Sequence, residues 1–547
     1  MIWLALLLAS GPRFVDRARE RGLDLVVTFG SEEKNYIIER TGTGAGFSDY
    51  DGDGDLDVYL VNGSLLDLPE GEPPPRDRLY RNDGGERFTD VTELAGLGDP
   101  EWGGGCLFAD FDNDGDPDLF ISNFGPDALY RNNGDGTFTD VSAAASTHDP
   151  RWGESASAGD FDADGFLDLV VANHAVFDRD APPEQNCYWK GIKVSCGPLS
   201  HPPETALLYR NRGDFTFEDR SVSSGIALKK GYGFGVVLDY FDDDELLDIY
   251  VANDLTENFL FLNRGHFQFE DFGALSGSAY VEGGRAQAGM GVDSGDYDGD
   301  GKPDLFVTNF SDDYNTLYRN DGSGLFSDVT YRARLGEPAF PYLGWATRFL
   351  DVDHDSDLDL FVVNGHIWPE VDRVASGTWY AQSHQLFLNS GDGTFEDAST
   401  EAGLVEKRLG RGAAFGDVDE DGDLDVLIAN MHALPTLLFN ESTRNGHFLQ
   451  LLLVGRASNR DAVGARVSLN ASGRTQRQTM KSGGGYLSSH DPRLHFGLGA
   501  NAAAENATIA WPSGRQETLG KLEGDRLYVV LEGQGVIDSR PPNPGLP

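Results

Sequence analysis

The sequence predicts an all-β chain, a seven-bladed β-propeller followed by a small β-sandwich-like domain, and three observations carry that expectation. An acidic motif, D-x-D-x-D-G-x-x-D, recurs along most of the 547 residues. Its flanks repeat in register as short apolar runs separated by Gly, Asn and Asp, which reads as strands and turns. The C-terminal stretch drops the motif and shows longer alternating runs such as "HFLQLLLV" and "RLYVVLEG". Repeats of this kind indicate solenoids, propellers or arrays. Four short strands in a unit of roughly 60 residues is the arithmetic of a propeller blade.

The chain opens on "MIWLALLLAS", an apolar run too short to span a bilayer and followed by small residues. It suits a secretory signal over residues 1–11, although no basic residue precedes the run. The ring is expected over 12–441. Within it "FVDRARERG", Phe14 to Gly22, repeats the F-x-D-x5-G ending of a unit before any unit has begun, while the last unit, after Asn440, lacks that ending. Residues 13–25 are therefore expected to close the last blade as its outer strand, since an open sheet edge is a liability.

The motif has six good copies. They place Asp49, Asp51, Asp53, Asp55 and Asp57 in the first, and Asp110, Asp112, Asp114, Asp116 and Asp118 in the second. The third has Asp160, Asp162, Asp164, Phe166 and Asp168; the next good copy has Asp296, Asp298, Asp300, Lys302 and Asp304. The last two carry Asp351, Asp353, Asp355, Asp357 and Asp359, then Asp417, Asp419, Asp421, Asp423 and Asp425. A degenerate copy at 240–248 keeps Asp242, Asp244 and Asp248 but has Tyr240 first and Glu245 where Gly belongs. Five residues past every copy stands an asparagine: Asn62, Asn123, Asn173, Asn253, Asn309, Asn364 and Asn430. An aromatic-x-Asn step follows, ending for example at Asn82, Asn132 and Asn389, and then F-x-D with its later glycine.

Calcium takes about six to eight hard oxygen ligands, and a tight loop can offer side chains from positions 1, 3, 5 and 9 with a main-chain carbonyl from position 7. Phe166 and Lys302 can ligate only through that carbonyl. Position 6 is Gly in every good copy except at Ser356, as a turn with positive φ favours. An EF-hand would need Glu at position 12 and flanking helices; position 12 is apolar here, for example Leu60 and Ile428. About six structural calcium ions are expected, with metal binding by the loop at 240–248 in doubt.

The three cysteines are few. Cys187 and Cys196 bracket "CYWKGIKVSC" and are expected to staple a surface loop, while Cys106 lies in an apolar run. The acidic loops join the first two strands of each blade, so the segments after the seven asparagines emerge on the opposite face. Two long insertions arise there, His174–Glu204 and Gly365–Gln385. Variable loops on a rigid scaffold commonly carry recognition. The ligand-face candidates are His174, Asp254, Glu257, Asp312, Asp313, His366, Trp368, Glu370 and His432, with Trp189 and Trp379 as rim aromatics. These side chains are candidates for a second metal site or an acid/base pair, against the alternative that they are separate polar loop residues.

The units resemble FG-GAP (integrin-α-like, VCBS) repeats, and the tail, with "SGGGYLSSHDPRLHFGLG" and "ATIAWPSGRQETL", is similar to the ASPIC/UnbV domain over 446–537. That pairing resembles the cartilage acidic protein family. It implies calcium in the strand-connecting loops and partner binding on the other face. A sandwich packed beside the ring and a disordered tail at 538–547 are expected. With no cysteine after Cys196, no EGF-like module of the vertebrate relatives is expected in the sequence.

A formal charge of −47 argues against nucleic acid and anionic membranes as partners. No H-E-x-x-H, G-x-S-x-G or phosphate loop is present. The expectation is an exported calcium-binding interaction protein, secreted, periplasmic or on the cell surface, with a protein or glycan ligand. The alternative is a polysaccharide-acting enzyme, or an accessory factor of secondary metabolism, using the same face.

Overall fold

The computed structural model describes residues 11–84, 87–443, 446–471 and 473–543. The expected signal segment, apart from Gly11, and tail residues 544–547 lie outside the described residues.

Seven four-stranded antiparallel sheets follow the seven motif copies. The first runs Ala45–Ser48, Asp57–Leu60, Arg78–Asn82, Phe88–Asp90 from the inside outward. The inner strands of the others are Trp102–Ala109, Gly153–Gly159, Gly233–Asp239, Val292–Gly295, Gly344–Leu350 and Gly410–Gly416. Each inner strand packs beside the next and the last beside the first, so the sheets form a ring. Small residues dominate several of these strands because the strands crowd at the centre. In the seventh sheet the outer position is taken by Phe14–Asp16, with Phe14 opposite Asn440 and Asp16 opposite Leu438.

The core lies between sheets. Apolar side chains of adjacent sheets interlock, as Tyr59 and Val61 do with Leu119 and Ile121, or Val237 and Tyr250 with Leu305 and Tyr318. The repeated asparagines have a direct role in this stacking. Asn82, Asn132, Asn211, Asn263, Asn320, Asn389 and Asn440 each donate a side-chain amide N–H to a main-chain carbonyl in the acidic loop of the preceding sheet. The acceptors are Val418, Tyr50, Phe111, Phe161, Phe241, Tyr297 and Val352, at 2.8–3.2 Å. The bond from Asn82 to Val418 joins the first sheet to the last and completes the cycle.

The C-terminal domain is a sandwich of two four-stranded sheets. One contains His447–Val454 paired in parallel with Arg526–Leu531, and the other centres on Arg466–Ala471 and Ala503–Ala510. Leu451, Phe496, Ile509 and Trp511 fill the space between them. The final strand runs through Gly535–Arg540, so the tail stays ordered past residue 538; the Arg540 guanidinium pairs with Glu420, and Asn543 N–H donates to a Glu420 carbonyl.

The sandwich does not lie beside the ring. It lies across the acidic loops and brings cations to them: Arg474 pairs with Asp357, Arg466 with Glu245 and Arg540 with Glu420, while Lys481 pairs with Asp293 in the adjoining inner strand. Its segment 482–491, "SGGGYLSSHD", enters the ring. There Val236 N–H donates to Gly485 O at 3.1 Å, Cys106 N–H to Leu487 O at 3.0 Å and Ser489 N–H to Ala45 O at 3.1 Å. Tyr486 is fully buried against Phe234 and Trp345, and its hydroxyl donates to Thr41 O at 2.8 Å. The fit depends on absent side chains: a Cβ on Gly44 would sit 1.6 Å from the Leu487 carbonyl oxygen.

Candidate functional site

Each acidic loop is built by its own aspartates. In the six good copies the first Asp accepts the N–H of position 6 at 2.7–3.0 Å, which folds the loop back on itself. The ninth Asp does different work in all seven copies. One oxygen accepts the N–H of position 2 and the other the N–H of the bridging asparagine; Asp118 holds Phe111 and Asn132, both at 2.9 Å, and Asp248 holds Phe241 and Asn263 at 2.9 and 2.8 Å. The ninth Asp thus ties the loop to its sheet whether or not a metal binds, which accounts for its survival at Asp248.

Carboxylate oxygens of Asp49, Asp51 and Asp53 converge within 4.8 Å of one another, as do those of Asp110, Asp112 and Asp118, and of Asp296, Asp298 and Asp300. Oδ1 atoms of Asp49, Asp51, Asp162, Asp296, Asp353 and Asp417 are buried with no hydrogen-bond partner among the described residues. Burial pushes Asp49, Asp160 and Asp296 up to about 6 and Asp110 to about 7, with neighbouring aspartates adding to the rise. Orphaned, clustered carboxylate oxygens are costly unless a cation meets them. The residues therefore fit a hard divalent ion, with the aspartates of positions 1, 3, 5 and 9 as the side chains that would hold it. Lys302 directs its ammonium to Asp300 and Phe166 packs over Gly213, so neither side chain is available to a metal.

The degenerate loop also gathers Asp242, Asp244 and Asp248. Arg264 bonds Asp242 at 2.9 Å, and the two departures from the motif face the sandwich. The Tyr240 hydroxyl donates to Gly464 O at 2.8 Å, Arg466 stacks over its ring, and Glu245 pairs with Arg466. Ser356, the other departure at position 6, donates its hydroxyl to Gly497 O at 3.0 Å. Each exchange is a contact with the C-terminal domain.

Antiparallel order places the insertions at the other end of the sheets. A disulfide joins Cys187 to Cys196 and closes the hairpin Cys187–Trp189 and Ile192–Val194. Its tip meets the second insertion: Trp189 packs 5.6 Å from Trp368, the Trp368 indole N–H donates to Ser195 O, and Lys190 pairs with Asp312 at 2.7 Å. Beneath them is a cavity of about 330 Å³ lined by aromatic and aliphatic groups and a few charges.

Of the expected ligand-face residues, His174, Asp254, Asp312, Asp313, Trp368 and the rim aromatic Trp189 line this cavity. The others do not converge on it. Glu257 is held by Lys229 and Tyr280, and His432 Nε2 lies 2.6 Å from Lys34 Nζ. His366 is fully buried, its Nδ1 accepting the Trp368 N–H and its Nε2 lying against Ser311. Glu370 is outside the lining, and Trp379 is 46 % exposed beyond it. Trp368 is 8 % exposed because the hairpin covers it.

Sequence reasoning missed Arg40. Its Nη atoms donate to Ser195 O and Cys196 O, its Nε has no acceptor among the described residues, and burial lowers it to about 10. Asp254 faces it beyond ion-pair distance, pushed up to about 7 by burial with Arg40 opposing. The His174 ring stacks 4.2 Å from Phe234, and burial holds it near 3; the Tyr232 and Gly233 carbonyls approach without completing a hydrogen bond.

Seven sheets with aspartate-rich loops at one end and inserted loops at the other define a repeat propeller. Residues 49–121, 110–171, 240–307, 296–362 and 374–428 match the FG-GAP-like repeat, more than half of the sequence, and the chain belongs to that family. Residues 455–537 match the ASPIC and UnbV domain. Human cartilage acidic protein 1 is 27% identical over 335 residues, 60% of this chain and 48% of that protein. Its Xenopus tropicalis counterpart is 26% identical over 325 residues, 58% of this chain and 47% of that protein. The chain thus spans about half the length of these curated relatives. Among solved structures, the BP39L lectin of Burkholderia pseudomallei aligns with a TM-score of 0.45 at 10% identity, covering 74% of this chain and 98% of the lectin. YCF48 bound to a D1 peptide aligns with a TM-score of 0.39 at 9% identity, covering 76% and 99%.

Proposed function

We propose that the chain is an exported, calcium-stabilised interaction protein that binds a protein or glycan through the face opposite its acidic loops. One observation carries this reading: the C-terminal sandwich covers the loop face and threads the ring, while both insertions meet on the other face over a cavity. Calcium in the six good loops would neutralise the buried carboxylates and lock the sheet ends, a structural role. The Cys187–Cys196 disulfide supports export. Among the described residues no helix is long and apolar enough to cross a membrane.

A glycan and protein binding screen of the intact chain, in calcium and in chelator, tests the reading. Binding should require calcium and should be lost on deleting residues 366–384, and also on replacing both Cys187 and Cys196 by Ser. Binding that survives both changes overturns it.

A further inference from the structure

The cavity under the two insertions has a selective distribution of partners. At its mouth the charges are already matched: Lys190 with Asp312 at 2.7 Å, and Arg285 with Asp313 at 2.5 Å. Two further charges line the cavity, the buried Arg40 and the half-buried Asp254, and they are not matched. Among the described residues, Arg40, 2 % exposed, keeps an Nε–H without an acceptor, and the Asp254 carboxylate makes no hydrogen bond or ion pair. The two groups are of opposite sign, so the cavity has little net charge to offer a free ion. A ligand that satisfies both must accept from a guanidinium on one side and donate to a carboxylate on the other.

The walls add a second requirement. Trp189 and Trp368 are inclined at 48° to each other, and Phe234 and Trp345 close the floor. Aromatic faces of this kind take a flat apolar surface, while the cavity, at about 330 Å³, is at the small end of ligand sites. One ring fits such a volume better than a polymer running through. A ring with C–H groups on its faces and hydroxyls at its edge, each hydroxyl both donor and acceptor, meets every condition.

We propose that this cavity binds a single pyranose ring at the end of a glycan, with neighbouring hydroxyls bridging Arg40 and Asp254 and the ring face lying on Trp189 or Trp368. The inference rests on the reading of this face as the binding surface and narrows its ligand to a neutral sugar. The Cys187–Cys196 hairpin then has a defined task, holding Trp189 over the cavity and the Ser195 and Cys196 carbonyls against Arg40.

The test uses the intact chain with calcium and a panel of methyl pyranosides of the common hexoses, N-acetylhexosamines and 6-deoxyhexoses, read by saturation-transfer NMR and tryptophan fluorescence. At least one pyranoside should bind, and its affinity should fall tenfold or more in Asp254→Asn and in Trp189→Ala, with Trp379→Ala unaffected and the melting temperatures of all variants kept. Sugar binding that is lost in Trp379→Ala but kept in Asp254→Asn overturns the cavity assignment while leaving the face as the binding surface. The same separation holds if no pyranoside binds but a protein is captured in a manner that needs residues 366–384. A chain that binds neither sugar nor protein on this face sinks both.

Discussion

The two faces of the ring are built in opposite ways. The loop face repeats one nine-residue device around the ring and spends its departures on holding the C-terminal domain; Tyr240, Glu245 and Ser356 all touch it. The other face repeats almost nothing, and its cavity is assembled from segments far apart in sequence, Arg40, Asp254 and the two insertions. The difference separates stability from recognition. Damage to the first face should lower the melting temperature, and damage to the second should remove binding at constant stability.

The largest effect expected is from calcium removal. At calcium ten times the dissociation constant each site adds about 1.4 kcal/mol, so six would add roughly 8 kcal/mol, comparable with a whole domain's stability. Scanning calorimetry in calcium and in chelator should show a steep fall in melting temperature, and an unchanged transition counts against the metal reading. Next is the segment in the ring: Tyr486→Ala should cost about 3–5 kcal/mol, because a fully buried ring would leave a cavity at the centre. Denaturant unfolding gives that number. Asn132→Ala should cost about 2 kcal/mol, since it strips the buried Tyr50 and Pro117 carbonyls of a donor; a loss under half that would show the asparagine cycle to be incidental.

A smaller, pH-dependent effect belongs to Glu532 in the sandwich. Burial alone would raise its pKa, but the N–H groups of Ser458, Arg456 and Ala457 and the Ser513 hydroxyl outweigh it and hold the carboxyl at about 2. A lowered folded pKa contributes stability above the unfolded value, near 4.3, that is lost as pH falls toward 2. Glu532→Gln should therefore cost about 2 kcal/mol at pH 7 and flatten the acid limb of the unfolding curve; an acid limb identical to the wild type's contradicts the assignment.

The repeat was legible because each loop is local. Nine residues carry the whole device, and register across the copies separates side chains able to ligate, such as Asp49, from position 7, where Phe166 could offer only its main-chain carbonyl. The bridging role of Asn132 was visible only as a recurrence, since its acceptor Tyr50 lies 82 residues away. Arg40 was not legible at all. It is a single arginine with no period, placed by contacts to Ser195 and Cys196 some 155 residues on. Tyr240 and Glu245 read as decay in the sequence because their partner, Arg466, is in another domain. The sandwich was expected beside the ring for a related reason: alternation reports which strand faces are apolar, and says nothing of which neighbour its arginines meet.

The most direct test of the account counts calcium ions on the intact chain, stripped with chelator and then dialysed against calcium, by metal analysis and native mass spectrometry. The loops predict about six ions per chain, and one more in the double variant Tyr240→Asp, Glu245→Gly, which should loosen the sandwich as it gains the ion. A chain that retains no calcium, or whose count ignores the double variant while its loops remain folded, contradicts the central claim that this face is held together by metal.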